Sequence, residues 1–186
     1  MNDTMSKAIG MVEYKTVSAG IHAADVMVKT AEIDIIEAQT VCPGKYIAIF
    51  CGDLSAVNAS VEAARSTCGQ HLIDSFILGN PHEGIFPALY GTSKVEKINA
   101  LGILETFSAP SIIVAADEAA KTSDVELIEL RMARGMCGKS YMFLTGEITA
   151  VEAAIEKAKK AVGEHAMLLD STVIANPDDK LCKCIL

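Results

Sequence analysis

Short apolar runs and longer segments with helical spacing alternate along the chain, and together they predict a mixed α+β fold. Residues 18–31 carry apolar side chains three or four positions apart, which is the period of an amphipathic helix. A second helix is expected to start after Asp53, a suitable N-cap residue, and to stop at Gly69. The other apolar runs are predicted strands, at residues 9–14, 33–41, 46–51 and 72–78, and a short helical piece follows at 83–89.

The same pattern returns in the second half of the chain. Residues 8–13 read AIGMVE and residues 100–105 read ALGILE, so equivalent positions stand 92 residues apart. Two homologous domains are therefore predicted, at 8–90 and 100–178, with a linker at 91–99 and a tail at 179–186. Each has the order β-α-β-β-α-β of the ferredoxin-like fold, and the second copy is expected to finish in a disordered tail instead of a helix.

Composition and charge narrow the class of protein. The chain has 186 residues, of which 51% are hydrophobic and 22% charged, so it buries a core and is not a disordered segment. A net charge of −8 argues against a nucleic-acid partner, and no apolar run reaches the roughly 18 residues that would predict a membrane span. The six cysteines lack the spacing of a disulfide framework and are expected to be reduced thiols of a soluble cytosolic protein.

The loop at residues 40–45, which reads TVCPGK, is the strongest candidate site. Pro43 disfavours the helical region for Cys42, and Pro-Gly favours a turn, so the thiol is expected at a loop tip. A cysteine held in this way can be a metal ligand, a redox thiol or an ordinary turn residue. Residue types and spacing alone favour the last of these, since no second cysteine follows at the spacing of a cluster motif.

Four segments of the first copy resemble the bacterial microcompartment shell protein family. They are AIGMVE at 8–13, AADVMVK at 23–29, IDIIE at 33–37 and GDLSAV at 52–57. The resemblance covers nearly the whole chain in both copies. It implies a structural protein with no catalytic reaction, and no acid–base pair or catalytic triad stands out among the residues themselves.

The resemblance also implies an assembly. Single-domain members of this family form flat hexamers that tile into a polyhedral shell, whereas tandem-domain members form homotrimers that imitate the hexamer, which makes this chain one third of a pseudohexamer. The loop between the second and third strands of each domain then lines a central pore, with Val41, Pro43, Gly44 and Lys45 from the first copy and Met136, Cys137 and Gly138 from the second. Lys29 and Lys121 resemble the edge lysines through which neighbouring shell proteins pack.

The first loop resembles that of T-type tandem members from propanediol-utilisation microcompartments, in which the loop cysteine holds an iron–sulfur cluster at the trimer centre. Here that position is Cys42. Three thiolates related by a threefold axis can ligate three irons of one [4Fe–4S] cluster, so the resemblance implies one cluster per trimer. The implied role is electron transfer across the shell, with lumenal redox enzymes as partners.

Two other functions remain open at this stage. Without metal, the same trimer would be a pore for small metabolites. A more remote alternative is a cytosolic regulatory protein in which Cys42 is a redox thiol. Aligning Gly44 with Gly138 places Cys137 opposite Pro43, so Cys137 is either a second pore thiol or an alternative ligand, whereas Cys51 and Cys68 are expected in the core.

Overall fold

The computed structural model describes residues 8–163 and 166–186, which form two compact units. Unit 1 comprises the residues up to Pro81 together with two short segments from later in the chain, 108–110 and 133–138. Unit 2 comprises residues 82–107, 111–132 and 139–186. No helix in the described part of the chain is both long enough and apolar enough to cross a membrane.

The predicted α+β architecture is confirmed, with a four-stranded antiparallel sheet and helices in each unit. The strand orders are β2-β3-β1-β4 and β6-β7-β5-β8, the ferredoxin-like arrangement. The elements of the first copy are β1 (Ala8–Tyr14), α1 (Val17–Thr30), β2 (Ile33–Val41), β3 (Lys45–Gly52), α2 (Leu54–Cys68) and β4 (Leu72–Leu78), followed by α3 (Ile85–Leu89). Those of the second are β5 (Ala100–Thr106), α4 (Ala109–Thr122), β6 (Val125–Met132), β7 (Ser140–Gly146), α5 (Ile148–Gly163), β8 (Leu168–Ile174) and α6 (Asp179–Ile185).

The two sheets share their irregularities as well as their strand order. The register of β2 on β3 shifts between Ile35 and Glu37, and the register of β6 on β7 shifts between Leu127 and Glu129, 92 positions later. The central strands β1 and β5 also shift at equivalent positions where each meets the last strand of its sheet. Bulges bend and twist a strand locally, so the two sheets carry such a local distortion at equivalent positions.

The core of unit 1 lies between its sheet and helices α1 and α2, and two glycines make the packing close. An added Cβ on Gly10 would lie 2.7 Å from Cζ of the buried Phe50. An added Cβ on Gly20 of α1 would lie 2.5 Å from the Cβ of Tyr46 on β3. Because neither distance is compatible with a real side chain, glycine at position 10 lets the Phe50 ring lie over β1, and glycine at position 20 lets α1 pack closely on β3.

Asp53 is the N-cap residue of α2 as predicted, although its side chain makes no capping hydrogen bond. Two other local expectations need correction. The short helical piece begins at Ile85 instead of residue 83. The tail is wrong as a disordered segment, because its residues form α6, which is capped by the Asp178 side chain and packs Cys182 and Ile185 against the apolar cluster of unit 2 around Leu101.

Candidate functional site

The first loop consists of Cys42, Pro43 and Gly44, between the end of β2 and the start of β3. The Gly44 N–H donates to the Val41 carbonyl across 2.9 Å, which closes the turn. Gly44 has a φ of 97°, a conformation that glycine adopts without steric cost. The Cys42–Pro43 peptide is cis. Val41 is buried whereas Cys42 is exposed, so the turn presents the thiol to its surroundings as the sequence predicts.

The second loop, residues 133–138, follows β6 and belongs to unit 1. Its backbone is left-handed at four positions, with φ values of 51° at Ala133, 71° at Gly135, 52° at Cys137 and 87° at Gly138. Cys137 is exposed and Met136 is half-buried. The second loop is therefore longer than the first and has a different backbone path, although both connect the same pair of strands in their copies.

The two loops pack against each other at Gly138. A Cβ built on this glycine would lie 3.3 Å from Cδ of Pro43 and 2.9 Å from Nζ of Lys45, so the absence of a side chain permits the contact. The Lys45 ammonium also donates to the Gly138 carbonyl across 3.4 Å. Pro43, Lys45 and Gly138 thus form one contact between the first and second loops.

A buried ion pair between Lys45 and Glu13 lies next to this contact. Lys45 Nζ lies 2.9 Å from Oε1 of Glu13, whose side chain has no solvent exposure, while that of Lys45 is 17% exposed. The other carboxylate oxygen, Oε2, accepts the Ala109 N–H across 2.9 Å. Both oxygens of a buried carboxylate therefore have donors, as such a group requires.

Burial dominates the electrostatics of this ion pair. It raises the pKa of the Glu13 carboxyl above its ordinary value, because desolvation penalises the charged form. The Lys45 ammonium and the Ala109 N–H act in the opposite direction without cancelling that effect. Sequence reasoning missed Glu13 as a site residue. The available signal was a carboxylate in an otherwise apolar strand, with Glu105 at the equivalent position of the second copy.

The two predicted edge lysines have different surroundings. Lys29 on α1 pairs with Asp25 at 2.7 Å, and both side chains are more than half exposed. Lys121 on α4 pairs with Asp117 at 2.6 Å, but this aspartate is buried and also accepts the His82 N–H. Lys29 is consequently the freer of the two to meet another molecule.

The metal-binding capacity of one chain is limited. Among the described residues, no group of three or more His, Cys, Asp or Glu side chains is arranged to hold a metal ion. Cys51 and Cys68 are buried, which confirms their prediction as core residues, and Cys68 Sγ lies 3.6 Å from Nδ1 of His22. Cys42 offers one exposed thiol, so it fits a cluster only where several chains bring their first loops together.

Comparison with known proteins gives the family. The BMC domain model matches residues 8–81 and again residues 100–177. The chain belongs to the BMC-domain family of microcompartment shell proteins. It is 37% identical over 95% of its length, and over 96% of the other chain, to the bacterial microcompartment shell protein PduT of Citrobacter freundii. A crystal structure of a microcompartment protein from Desulfitobacterium hafniense superposes with a TM-score of 0.83 at 44% identity, covering 96% of this chain and 99% of that one.

More distant shell proteins extend the comparison. The carboxysome shell protein CsoS1 of Prochlorococcus marinus is 37% identical over 91 residues, which is 47% of this chain and 88% of CsoS1, as expected for a relative with one such domain. The fused permuted hexameric shell protein MSM0275 of the RMM microcompartment superposes with a TM-score of 0.67 at 25% identity, covering 85% of this chain and 84% of that one. The BMC-domain chain described here is thus a tandem-domain structural component of a microcompartment shell.

Proposed function

We propose that this shell protein assembles as a homotrimer, a pseudohexamer in which three copies of Cys42 hold one [4Fe–4S] cluster at a central pore. The observation that carries the proposal is the exposed Cys42 thiol at the tip of a three-residue turn. The resemblance of the TVCPGK loop to the T-type tandem members supports it, as does the 37% identity to PduT.

The residues around Cys42 suit a ligand that must be held in place. Gly44 supplies the left-handed turn that closes the loop, and Lys45 ties the first residue of β3 to the buried Glu13 carboxylate. The second loop supports Pro43 through Gly138. A ligand on such a supported loop keeps its geometry better than one on a free loop. When bound, a [4Fe–4S] cluster supplies reversible one-electron chemistry, which would serve electron transfer across the shell to lumenal redox enzymes.

The test is anaerobic purification followed by analysis of iron and acid-labile sulfide per chain. Wild type is expected to bind about four irons per three chains, and Cys42→Ser to bind none while its native mass stays that of a trimer. Cys184→Ser, which removes an exposed thiol of α6, is the matched control and should keep its iron.

The outcomes separate the alternative functions. A trimer that takes up no iron during reconstitution with ferrous iron and sulfide would refute the cluster, and a metal-free pore for small metabolites would then be the better assignment. A monomer whose Cys42 reacts stoichiometrically with thiol reagents would refute the trimer and favour a redox-thiol protein. Iron retained by Cys42→Ser would refute the assignment of Cys42 as ligand.

We further propose that Lys29 and Lys121 mediate packing against other shell proteins at the edges of the trimer. The large exposure of Lys29 supports this role, since its side chain can reach a neighbouring molecule. Lys29→Ala is expected to abolish sheet formation seen by electron microscopy while leaving the trimer intact. Lys157→Ala removes another half-exposed helix lysine and serves as the control. Sheets that form equally well in both variants would refute the role of Lys29.

A further inference from the structure

We propose that Cys42 and Cys137 of one chain form a redox-active dithiol, which a small-molecule disulfide oxidises to an intrachain Cys42–Cys137 bond. The inference rests on the proposed function only for its consequence, namely that oxidation withdraws Cys42 from the cluster. Formation of the bond itself requires only the two loops of unit 1.

The two loops lie close together at the residues next to the cysteines. Pro43 Cδ is 3.3 Å from the position that a Cβ on Gly138 would take, and the Lys45 ammonium donates to the Gly138 carbonyl across 3.4 Å. Cys42 immediately precedes Pro43, and Cys137 immediately precedes Gly138. Each thiol-bearing residue is therefore the immediate chain neighbour of a residue in this pair. A disulfide requires Cα atoms about 4.4–6.8 Å apart, and two loop tips joined at neighbouring residues can reach that separation.

Exposure and loop contact together distinguish this pair from the other four cysteines, of which only Cys184 is also exposed. Cys42 and Cys137 are both exposed, whereas Cys51 and Cys68 are buried. Cys182 and Cys184 lie on α6 two positions apart, so they point away from each other, and Cys182 packs into the apolar cluster of unit 2. Cys42 and Cys137 are thus the pair whose loops touch and whose sulfurs a reagent can reach.

The chemistry is thiol–disulfide exchange. The thiolate of one loop cysteine attacks a sulfur of oxidised glutathione, forms a mixed disulfide and expels one glutathione thiolate. The second cysteine then attacks the protein sulfur of that mixed disulfide and expels the other glutathione. The protein loses two protons and two electrons, and one oxidised glutathione becomes two reduced molecules. Because iron–sulfur clusters need thiolate ligands, the oxidised loop cannot hold one until it is reduced.

The experiment uses the whole 186-residue chain without metal, which is reduced, freed of reductant and then treated with oxidised glutathione. Trypsin cleaves after Lys29, Lys45, Arg134 and Lys139. Cys42 is therefore the one cysteine of peptide 30–45, and Cys137 is the one cysteine of peptide 135–139. Mass spectrometry without reduction is expected to find these two peptides joined, with a mass two hydrogen atoms below the sum of the two peptide masses. The oxidised protein should migrate as a monomer on a denaturing gel without reductant. Cys137→Ser should lose the joined peptide and Cys184→Ser should keep it.

Two results would overturn the proposal. One is glutathione found separately on peptides 30–45 and 135–139, with no joined species. The other is a joined pair found only in covalent dimers or trimers, which would place the bond between chains. Iron uptake by reduced wild type is measured in parallel. If the joined peptide forms but the reduced protein takes up no iron, only the cluster is refuted. If the protein binds iron but the joined peptide does not form, only the dithiol is refuted.

Discussion

Replacing Lys45 by methionine tests whether the buried ion pair beneath the first loop stabilises the fold. Methionine keeps most of the length of the lysine side chain and removes its charge. The Glu13 carboxylate, which has no solvent exposure, would lose its countercharge and keep only the Ala109 N–H. Leaving one member of a buried pair uncompensated costs about 3–5 kcal/mol.

The lower end of that range applies here. Glu13 retains one donor, and Lys45 is itself partly reached by solvent. We therefore expect Lys45→Met to lower the free energy of unfolding by about 3 kcal/mol. For a chain of 150–250 residues this corresponds to a fall in Tm of about 6–12 °C. Scanning calorimetry at a fixed protein concentration measures it, because assembly makes Tm depend on concentration.

Lys29→Met is the matched control. Lys29 also pairs with a carboxylate, at 2.7 Å, but both partners are more than half exposed. Such surface pairs contribute about 0–1 kcal/mol, so this variant should move Tm by no more than about 4 °C. The double variant Lys45→Met with Glu13→Gln should recover part of the loss, since glutamine keeps an acceptor for Ala109 without a buried charge. Equal Tm shifts for Lys45→Met and Lys29→Met would refute the reasoning.

The pH dependence of the Lys45→Met deficit follows from the pKa of Glu13. Burial raises that pKa in the folded protein, and loss of the lysine removes an interaction that lowers it. A raised carboxyl pKa contributes stability that is fully present below the unfolded value of 4.5 and is lost as pH rises through the folded value. The deficit of Lys45→Met relative to wild type should therefore be largest at neutral pH and shrink on acidification, as measured by urea unfolding of both proteins across that range.

Two further predictions concern the core of unit 1. Gly20→Ala should destabilise the protein by about 1–3 kcal/mol in urea unfolding, because the new methyl group collides with Tyr46. In the control Gly69→Ala the new methyl group meets no atom within 4 Å, so this variant should be neutral or slightly stabilising. Equal effects of the two substitutions would contradict this packing. Tyr14→Phe removes the hydrogen bond to the Ala64 carbonyl and should cost about 1 kcal/mol at pH 7. Burial raises the pKa of Tyr14 to about 12, so wild type should lose this advantage between pH 10 and pH 12, and an advantage that persists above pH 12 would refute it.

The regular elements were predictable because their signals are local. Strand β2 has the predicted bounds, residues 33–41, and α1 differs from prediction by one residue at each end. These segments carry a helical or extended period within their own sequence, and the second copy repeats it. Helix α6 was missed because seven residues are too few to show a period, and its order depends on packing of Cys182 and Ile185 onto distant residues.

The candidate site was predictable only in part. Cys42 in front of Pro-Gly indicated an exposed loop thiol, and the structure has one. Next to that loop, Glu13 forms an ion pair with Lys45, which is 32 residues away, and accepts a hydrogen bond from the backbone of Ala109, which is 96 residues away. No local pattern encodes a contact of that range. The approach of Pro43 to Gly138 spans a similar distance in sequence, and the repeat makes Gly138 equivalent to Gly44 without indicating that the two loops touch.

The two copies differ in how they place one glutamate and one lysine near their loops. Both copies keep the glutamate and the lysine, as Glu13 and Lys45 in the first and Glu105 and Lys139 in the second. In the first copy the glutamate is buried and paired with the lysine, whereas Glu105 is half-buried and Lys139 is exposed. Removing one partner of such a pair is costly, whereas apolar residues at both positions would be about as stable, so the ion pair is not the only stable solution at this place. Its distinguishing feature is position, because Lys45 follows the Cys42 loop directly, and the proposed cluster would need that loop to be held in place.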